Sequence, residues 1–362
     1  MQIGAQDIAA RFALGGEVTS VVRHGSGHIH QTHEVEVRTG EGATRRFILQ
    51  RIHRGVFPDP EAVIRNAERV IEHLRQRVLG EGGDPDREVP ALVRSTDERG
   101  FVRDAQGALW RCYVRIEGAT AHATAVGEPA RVQSIAEAFG RFLRRMDDVP
   151  PNRMEEVLPR FHDGVGVLRT FREAAHRDPC RRARDLAAER RFVEERAALT
   201  SMWAGVSASG RIRRRIVHND TKLDNVLIDD ATGRGLCVID LDTVMGGFAV
   251  VDIADCARSA LTGPEDVGGA FDLRQFRAVV EGFAKGMGET LPAIDLDLVV
   301  AATRAIALEL GTRFLTDHIL GDRWFAVSYP EQNLKRARVQ FELVGAIEQH
   351  AVEMEDLVRR IR

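Results

Sequence analysis

Strand-like and helix-like segments are separated along the 362 residues, and this order constrains the fold more than any other feature. Residues 17–52 contain three partly alternating runs, separated by the turn-forming sequences GSG and TGEGAT, and predict three short strands. Two more short strands are predicted near 91–96 and 108–115. Beyond residue 129 the pattern is mainly helical, apart from a β-rich stretch over 215–242. This order predicts an α+β fold and not an alternating β-α fold.

Three helices are indicated by local signals. Asp59, Pro60 and Glu61 supply an N-cap, a proline at the first helical position and an acid in the first turn. Amphipathic patterns predict further helices over 129–147 and about 184–201. We therefore predict two domains, a small β-rich domain over 1–115 and a larger, mainly helical domain over 116–362.

Composition narrows the classes of partner and compartment. The net charge is −3 and the isoelectric point is near 6.5, which does not favour nucleic acid or an anionic membrane as a partner. The four cysteines lack CxxC spacing and predict reduced thiols. The first residues lack the pattern of a signal peptide, and no apolar run is long enough to cross a bilayer. We expect a cytoplasmic protein, either a monomer or a homodimer.

The segment HNDTKLDN at 218–225, followed by VIDLD at 238–242, has the residue types that phosphoryl transfer needs. That reaction needs a carboxylate to accept the proton of a hydroxyl, oxygen ligands for Mg²⁺, and cations near the phosphates. Asp220 and Asn225 have the H-x-D-x₄-N spacing of a kinase catalytic loop, and Asp240 ends an apolar strand. We predict Asp220 as the catalytic base and Asn225 and Asp240 as metal ligands. Lys222 occupies a position that contacts the γ-phosphate in protein kinases.

Other interpretations of this segment remain open. Asp220 and Asn225 both favour turns and could simply connect two short strands, although a turn does not require Asp240 as well. His218 fits a residue that braces the loop. Asp242 fits either a further metal or substrate contact or a cap, and Asp224 fits a solvated loop position.

The motifs HNDTKLDNVL, VIDLDTVMGG and VDIADCAR resemble the aminoglycoside phosphotransferase/choline kinase superfamily, and within it the N-acetylhexosamine 1-kinases. The segments GSGHIHQT, FILQRIH and WRCYVRIEGAT extend the likeness along the chain. The resemblance implies a bilobal protein-kinase-like fold with ATP and Mg²⁺ as cofactors. It implies a sugar kinase that transfers the γ-phosphate to the anomeric hydroxyl of N-acetylglucosamine or N-acetylgalactosamine.

The resemblance also implies binding residues outside the catalytic loop. The phosphate-covering hairpin corresponds to Gly25, Ser26 and Gly27, which also fit an ordinary hairpin turn. The adenine-binding hinge corresponds to the stretch 111–116, which also fits a buried strand; its predicted cofactor contacts are Arg111, Cys112, Tyr113 and Val114. The sugar pocket corresponds to the region of Arg313 and Asp317, which also fit a surface ion pair at helical spacing.

The chain departs from the kinase pattern on its third strand. Kinases carry a lysine there that binds the α- and β-phosphates, whereas this chain has Gln50 and Arg51. Strand alternation lets only one of these two side chains face the phosphates, and the sequence does not decide which. The motif Met245-Gly246-Gly247 also replaces the usual Met-Pro-Gly, and His30-Gln31 replaces Asn-Asp.

Three alternative functions predict different behaviour. A related kinase would act on an aminoglycoside or on another sugar hydroxyl. A nucleotide-binding regulator would bind ATP without turnover, although binding alone needs no base at Asp220. A metal hydrolase built on His28, His30 and His33 would contain zinc, but it would need a further ligand in the right direction.

Overall fold

The computed structural model describes residues 4–24, 30–53, 55–121, 127–263 and 267–362, and the chain divides into two compact units. The first unit contains Met1–Ala119 with the segments Glu155–Leu158 and Ile239–Thr243. The second contains Thr120–Met154, Pro159–Val238 and Val244–Arg362. An antiparallel sheet dominates the first unit and helices dominate the second, so the predicted α+β class is confirmed. The predicted domain boundary between residues 115 and 116 stays a prediction.

The first unit is built on a five-stranded sheet in the order β1-β2-β3-β5-β4. The strands are β1 Gly16–Arg23, β2 Gln31–Thr39, β3 Thr44–Arg51, β4 Val102–Arg103 and β5 Leu109–Val114, and the pairs are antiparallel. The strand predicted near 91–96 is reduced to isolated bridges, among them Leu92 with Tyr113. Only a few of its backbone groups pair with β5, as in the hydrogen bond from Val93 N–H to the Cys112 carbonyl at 2.8 Å.

Three helices accompany this sheet in the same unit: α1 Ala5–Ala9, α2 Pro60–Gly80 and α3 Pro85–Glu88. The predicted start of α2 is confirmed, because Asp59 Oδ1 accepts hydrogen bonds from the N–H groups of Glu61 and Ala62 at 3.0 and 3.1 Å. These two amides have no partner within the helix, so the carboxylate satisfies groups that would otherwise need water.

The two faces of the sheet differ in polarity. One face carries apolar side chains of β2, β3 and β5 and packs with residues of the N-terminal segment; its core includes Ile8, Phe12, Val35, Phe47, Leu49, Trp110 and Cys112. On the other face, Thr32, Gln50 and Arg111 lie opposite one another on neighbouring strands. Because successive strand residues point to opposite faces, this polar row is the direct result of the alternation in sequence.

Most of the second unit is helical. Its helices are α4 Pro129–Arg145, α5 Gly164–Arg177, α6 Ala187–Glu195, α7 Met202–Ser209, α8 Ala249–Thr262, α9 Leu273–Met287, α10 Ala293–Leu320 and α11 Gln332–Ile361. Its short strands form two small sheets: β6 Ala119–Ala121, which crosses the unit boundary, pairs with β8 Val226–Asp229 and then β9 Gly235–Val238, and β7 Arg215–Val217 pairs with β10 Met245–Gly247. In the part of the chain that the structure describes, no helix is long and apolar enough to cross a membrane.

The helix predicted over about 184–201 is broken into shorter pieces. Only α6 is α-helical, and the turn after it, Ala197–Ser201, is a 3₁₀ helix. The hydroxyls of Thr200 and Ser201 donate to the carbonyls three residues earlier, at 2.7 and 2.8 Å. Such side-chain bonds compete with continuation of the α-helix and favour the tighter turn.

The backbones of helices α4 and α9 come into direct contact at positions occupied by glycine. A Cβ atom added at Gly286 would lie 2.3 Å from the Glu137 carbonyl oxygen, and one added at Gly140 would lie 2.9 Å from Gly286 Cα. At Gly282 an added Cβ would lie 2.5 Å from the carbonyl oxygen of Gln133. The neighbouring atoms are backbone, which cannot rotate away as a side chain can, so these positions require glycine.

We expect Gly286→Ala to lower the free energy of unfolding by about 1–3 kcal/mol, because the methyl group forces the two helices apart. Gly345→Ala in α11 is the matched control, because a Cβ atom there meets nothing within 4 Å. It should leave stability unchanged or raise it by up to about 1 kcal/mol through helix propensity. Urea unfolding followed by circular dichroism measures both; equal effects would contradict the close packing.

Candidate active site

The predicted catalytic segment lies in the second unit, in the loop that connects β7 to β8. Asn219, directly before Asp220, has a φ angle of 65°. A left-handed conformation is uncommon for residues other than glycine and persists only where the surroundings hold it. The loop is therefore a locally constrained structure and not a free turn.

The Asp220 carboxylate contacts two of the predicted site residues. Lys222 Nζ lies 3.3 Å from Asp220 Oδ2, and Asn225 Nδ2 donates to the same oxygen at 3.1 Å and to the Asp220 carbonyl at 2.8 Å. Burial alone would raise the pKa of Asp220, but the charges of Lys222 and His218 outweigh it and hold the pKa below its ordinary value. Because Asn225 uses its N–H₂ group here, its side-chain oxygen is the atom that could bind a cation.

Helix α8 fixes the backbone of this loop through side chains on one of its faces. Asp252 accepts hydrogen bonds from the N–H groups of His218 and Asn219, both at 2.7 Å. Asp255 accepts from Thr221 N–H at 2.8 Å, and the Ser259 hydroxyl accepts from Leu223 N–H at 3.2 Å. Asp252, Asp255 and Ser259 recur at three and four residues, which places them along one side of a helix.

Two further features hold this part of the loop. The Asp252 side chain is fully buried, and burial raises its pKa to about 6 despite its amide partners. The His218 ring is also fully buried and meets the rings of Phe139 and Phe142 edge-on, with centroids 5.5 and 5.7 Å away. This position suits the bracing role that the sequence suggested for His218.

Asp252 and Asp255 are site residues that the sequence analysis did not identify. Their signal was a pair of acids three residues apart inside the apolar stretch VVDIADCA. Acids at a buried helix face require partners, so this pattern could have predicted a backbone or cation contact. It could not have predicted that the partners are amides of residues 218–221, which lie more than 30 positions earlier in the chain.

The acidic turn after β9, which contains Asp240 and Asp242, belongs to the first unit. Asp240 is exposed and has a φ angle of 61°. Asp242 is buried; its Oδ1 accepts from Arg111 Nη1, and its Oδ2 lies 2.6 Å from His30 Nε2. Burial alone would raise the pKa of Asp242, but the charge of Arg111 and the His30 contact hold it far below its ordinary value.

The geometry around His30 bears on which atoms can bind a metal. Donor atoms of His30, Asp240 and Asp242 lie within 4.8 Å of one another. However, His53 N–H donates to His30 Nδ1 at 3.2 Å, so in the neutral ring the proton lies on Nε2 and points to Asp242. Both ring nitrogens are thus engaged. In this turn the exposed Asp240 carboxylate is the donor that fits a hard cation such as Mg²⁺.

The side chains of Gln50 and Arg51 lie on opposite faces of the sheet. Gln50 lies on the polar face of the sheet, where its Oε1 accepts from Arg111 Nε at 3.0 Å. Arg51 points to the other face, where its Nε lies 3.2 Å from Asp104 Oδ2. Gln50 therefore shares a face and a hydrogen-bonded network with Arg111, which in turn contacts Asp242.

The predicted hinge residues Arg111, Cys112, Tyr113 and Val114 lie within β5. Their backbone groups pair with β3 on one side, and on the other side the Cys112 carbonyl and Val114 N–H pair with residues 93 and 91. The stretch is thus a paired, mostly buried strand. The strand ends at Val114, but the Arg115 N–H still donates to the Arg46 carbonyl at 3.1 Å, so the backbone leaves the sheet in the segment 116–118.

The predicted phosphate-covering residues and one histidine of the predicted zinc cluster lie outside the described residues, and the other two histidines lie apart. Gly25, Ser26, Gly27 and His28 lie outside the described residues. His33 lies beside Trp110 on the apolar face, with ring centroids 5.9 Å apart, whereas His30 points to Asp242. His30 and His33 therefore do not converge on one point.

Arg313 and Asp317 on α10 do not pair with each other. Arg313 Nη2 donates to Glu309 Oε1 at 2.7 Å and to the Phe161 carbonyl. Asp317 is fully buried and accepts from backbone N–H groups in the loop that follows α10, including Arg323 at 2.7 Å and Phe325 at 2.9 Å. Asp317 thus holds that loop in place, whereas Arg313 stays partly exposed.

We expect Asp252→Ala to release the loop, because it leaves two buried N–H groups without partners at about 1–3 kcal/mol each. Hydrogen–deuterium exchange of the peptide over 216–226 should become faster, and the free energy of unfolding should fall. Ser259→Ala, which removes one longer bond, should have a smaller effect on both. Exchange in Asp252→Ala as slow as in the wild type would contradict the bracing role of α8.

Comparisons with known proteins agree with this geometry. The phosphotransferase enzyme family matches residues 20–288, most of the chain. An aminoglycoside phosphotransferase from Alicyclobacillus acidocaldarius has a similar structure, with a TM-score of 0.63 at 16% identity over 98% of this chain and 96% of that chain. A choline/ethanolamine kinase family protein from Mesorhizobium loti has a TM-score of 0.57 at 15% identity, with 98% of each chain covered. The amicoumacin kinase hAmiN in complex with AMP-PNP, Ca²⁺ and Ami has a TM-score of 0.61 at 14% identity, over 93% of this chain and 91% of that chain.

These comparisons confirm the predicted protein-kinase-like fold, with a β-rich N-lobe and a mainly helical C-lobe. The family match also confirms the predicted enzyme class, a phosphotransferase, whereas the likeness to N-acetylhexosamine 1-kinases stays a prediction. The braced Asp220 loop and the match over residues 20–288 lead to one conclusion: the chain belongs to the phosphotransferase enzyme family.

Proposed function

We propose that this protein transfers the γ-phosphoryl group of ATP, with Mg²⁺, to the anomeric hydroxyl of an N-acetylhexosamine. The observation that carries this proposal is the Asp220 carboxylate, held on a braced loop beside Lys222 and Asn225. A carboxylate fixed in this way can accept a hydroxyl proton without first having to be ordered. The sequence likeness to N-acetylhexosamine 1-kinases supplies the substrate class.

In this proposal Asp220 is the general base. Its lowered pKa keeps it ionised at neutral pH, so it is ready to accept the proton of the sugar hydroxyl. The anomeric hydroxyl is more acidic than other sugar hydroxyls, so it needs a weaker base than they do. Phosphoryl transfer passes through a loose transition state, so the protein mainly positions the reactants and offsets charge.

The proposed metal ligands are the side-chain oxygen of Asn225 and the carboxylate of Asp240, and oxygen donors of this kind fit Mg²⁺. When bound, the cation offsets negative charge on the phosphates. The amicoumacin kinase that shares this fold binds a divalent cation and an ATP analogue, which supports the same cofactors here. Asp242 was also predicted as a ligand, but its contacts with Arg111 and His30 favour a supporting role.

The proposed nucleotide contacts follow from the faces of the sheet in the first unit. Gln50, and not Arg51, is on the polar face with Arg111. Because the backbone of 111–114 and the Arg115 N–H are paired within the sheet, we assign adenine recognition to the segment 116–118. Gly25, Ser26 and Gly27 remain the proposed phosphate-covering residues on the basis of sequence alone.

The proposed sugar contact in α10 is Arg313, whose side chain is partly exposed. Asp317 is proposed to position the loop after α10 instead of contacting the sugar, because its carboxylate is fully buried. An aminoglycoside, which carries several positive charges, would favour a strongly acidic helical region. Residues 264–362 are only mildly acidic, which supports a neutral acetylated sugar.

Phosphorus-31 NMR of the protein with Mg²⁺-ATP and separate hexosamine and aminoglycoside acceptors tests the proposal. The expected product is a sugar 1-phosphate, recognised by coupling of phosphorus to the anomeric proton, with N-acetylglucosamine or N-acetylgalactosamine only. If the phosphate is found on another hydroxyl, or only on an aminoglycoside, the protein is a kinase but the proposed acceptor, the anomeric hydroxyl of an N-acetylhexosamine, is wrong. Nucleotide binding without turnover of any acceptor would support the regulator instead.

Lys222→Met should shift the acidic limb of the pH–rate profile to higher pH. In the wild type the charge of Lys222 helps to hold the pKa of Asp220 below its usual value, against the effect of burial. Without that charge the pKa rises, so the base becomes protonated at a higher pH and activity is lost there. The measurement is kcat/KM between pH 4 and 8.

Lys285→Met is the matched control, because Lys285 is an exposed lysine that pairs with Glu137 at 2.8 Å. Its profile should coincide with that of the wild type. An acidic limb that stays in place in Lys222→Met would contradict the assigned pairing of Lys222 with Asp220.

A further inference from the structure

The third strand lacks the phosphate-side cation of kinases. In that fold a lysine on β3 binds the α- and β-phosphates. Here β3 carries Gln50 and Arg51, and the first lysine of the chain is Lys222. Arg51 does not replace the missing lysine, because it lies on the opposite face of the sheet with Asp104. The polar face of β3 itself therefore carries no cation at this position.

Arg111 supplies a cation on that face from the neighbouring strand. It lies directly opposite Gln50 in the register of β3 and β5, and its Nε donates to Gln50 Oε1 at 3.0 Å. Its Nη1 donates to Asp242, and its guanidinium lies 5.2 Å from the centre of the Tyr113 ring. Only 1% of the residue is exposed, so these partners fix the guanidinium.

The surrounding charges explain why a cation is needed here. The acidic turn brings Asp240 and Asp242 close together, and a bound nucleotide would add further negative charge. Burial alone would lower the pKa of Arg111, but the negative charges, Asp242 first, hold that pKa above its ordinary value. Arg111 thus stays charged although it is buried.

We propose that Arg111 supplies from β5 a positive charge on the face of the sheet where protein kinases carry a β3 lysine, although it does not bind the phosphates as that lysine does. It acts as a positioning residue: it holds Asp242 and offsets the charge of the acidic turn, so that Asp240 can bind Mg²⁺ with the nucleotide. Because Arg111 is buried, it acts through Asp242 and Gln50 and not by direct contact with the phosphates. This inference rests on the proposed function.

Moving the positive charge from position 111 on β5 to position 50 on β3 tests the inference. Isothermal titration calorimetry would measure the affinity for Mg²⁺-AMP-PNP of the wild type, Arg111→Gln, and the double variant Gln50→Lys/Arg111→Gln. We expect Arg111→Gln to weaken binding by at least about tenfold and the β3 lysine of the double variant to restore most of it. A role of Arg111 in packing alone, independent of its charge, would not be rescued by a lysine at position 50. Arg51→Gln, on the other face, should bind as the wild type does.

Thermal unfolding of each variant separates loss of binding from loss of the fold. If Arg111→Gln shows no cooperative transition, Arg111→Lys decides, because it keeps the charge and should bind within about threefold of the wild type. Three outcomes would each overturn the inference. Folded Arg111→Gln could bind Mg²⁺-AMP-PNP with wild-type affinity, or the double variant could fail to recover affinity. Folded Arg111→Lys could also bind tenfold more weakly than the wild type. Wild-type protein that does not bind Mg²⁺-AMP-PNP would overturn the proposed function as well.

Discussion

The paired hydrogen bonds from His218 and Asn219 to Asp252 are the interaction on which the candidate site depends. The loop carries Asn219 in a left-handed conformation, which the local sequence does not favour and which needs support from outside the loop. Asp252 supplies it, and Asp255 and Ser259 extend the support to the next residues. The apolar residues of α8 bury this helix in the second unit, so the same element that forms part of the core also fixes the position of Asp220.

The first unit uses a comparable arrangement. A buried carboxylate, Asp242, is satisfied by His30 from one side and Arg111 from the other, and Asp240, two residues earlier in the same turn, is exposed. A buried carboxylate without such partners would be costly, so Arg111 and His30 lower the cost of burying Asp242 in this turn. In both units, then, one buried acid positions a neighbouring acid to which we assign chemistry.

The sequence predicted the features that depend on nearby residues. The N-cap at Asp59, the α+β order and the catalytic segment all follow from short-range patterns, and the structure or the family match confirms the first two and the enzyme class. It could not predict contacts between distant residues, such as His30 with Asp242, which are 212 positions apart. Likewise, only the strand register shows that Gln50 faces Arg111 while Arg51 faces away. The helix predicted near 184–201 is interrupted for a local reason. The hydroxyls of Thr200 and Ser201 donate hydrogen bonds to backbone carbonyls three residues earlier, which apolar periodicity alone does not reveal.

The central claim, that Asp220 is the base of a phosphoryl transfer, is tested most directly by acceptor-dependent ADP release from Mg²⁺-ATP in the wild type and in Asp220→Asn. Asparagine keeps the size of the side chain but cannot accept the proton. We predict that kcat falls by about 10²- to 10⁴-fold while the KM values for both substrates change little. Near-normal turnover by Asp220→Asn would contradict the account, because the braced loop would then hold a residue that the reaction does not need.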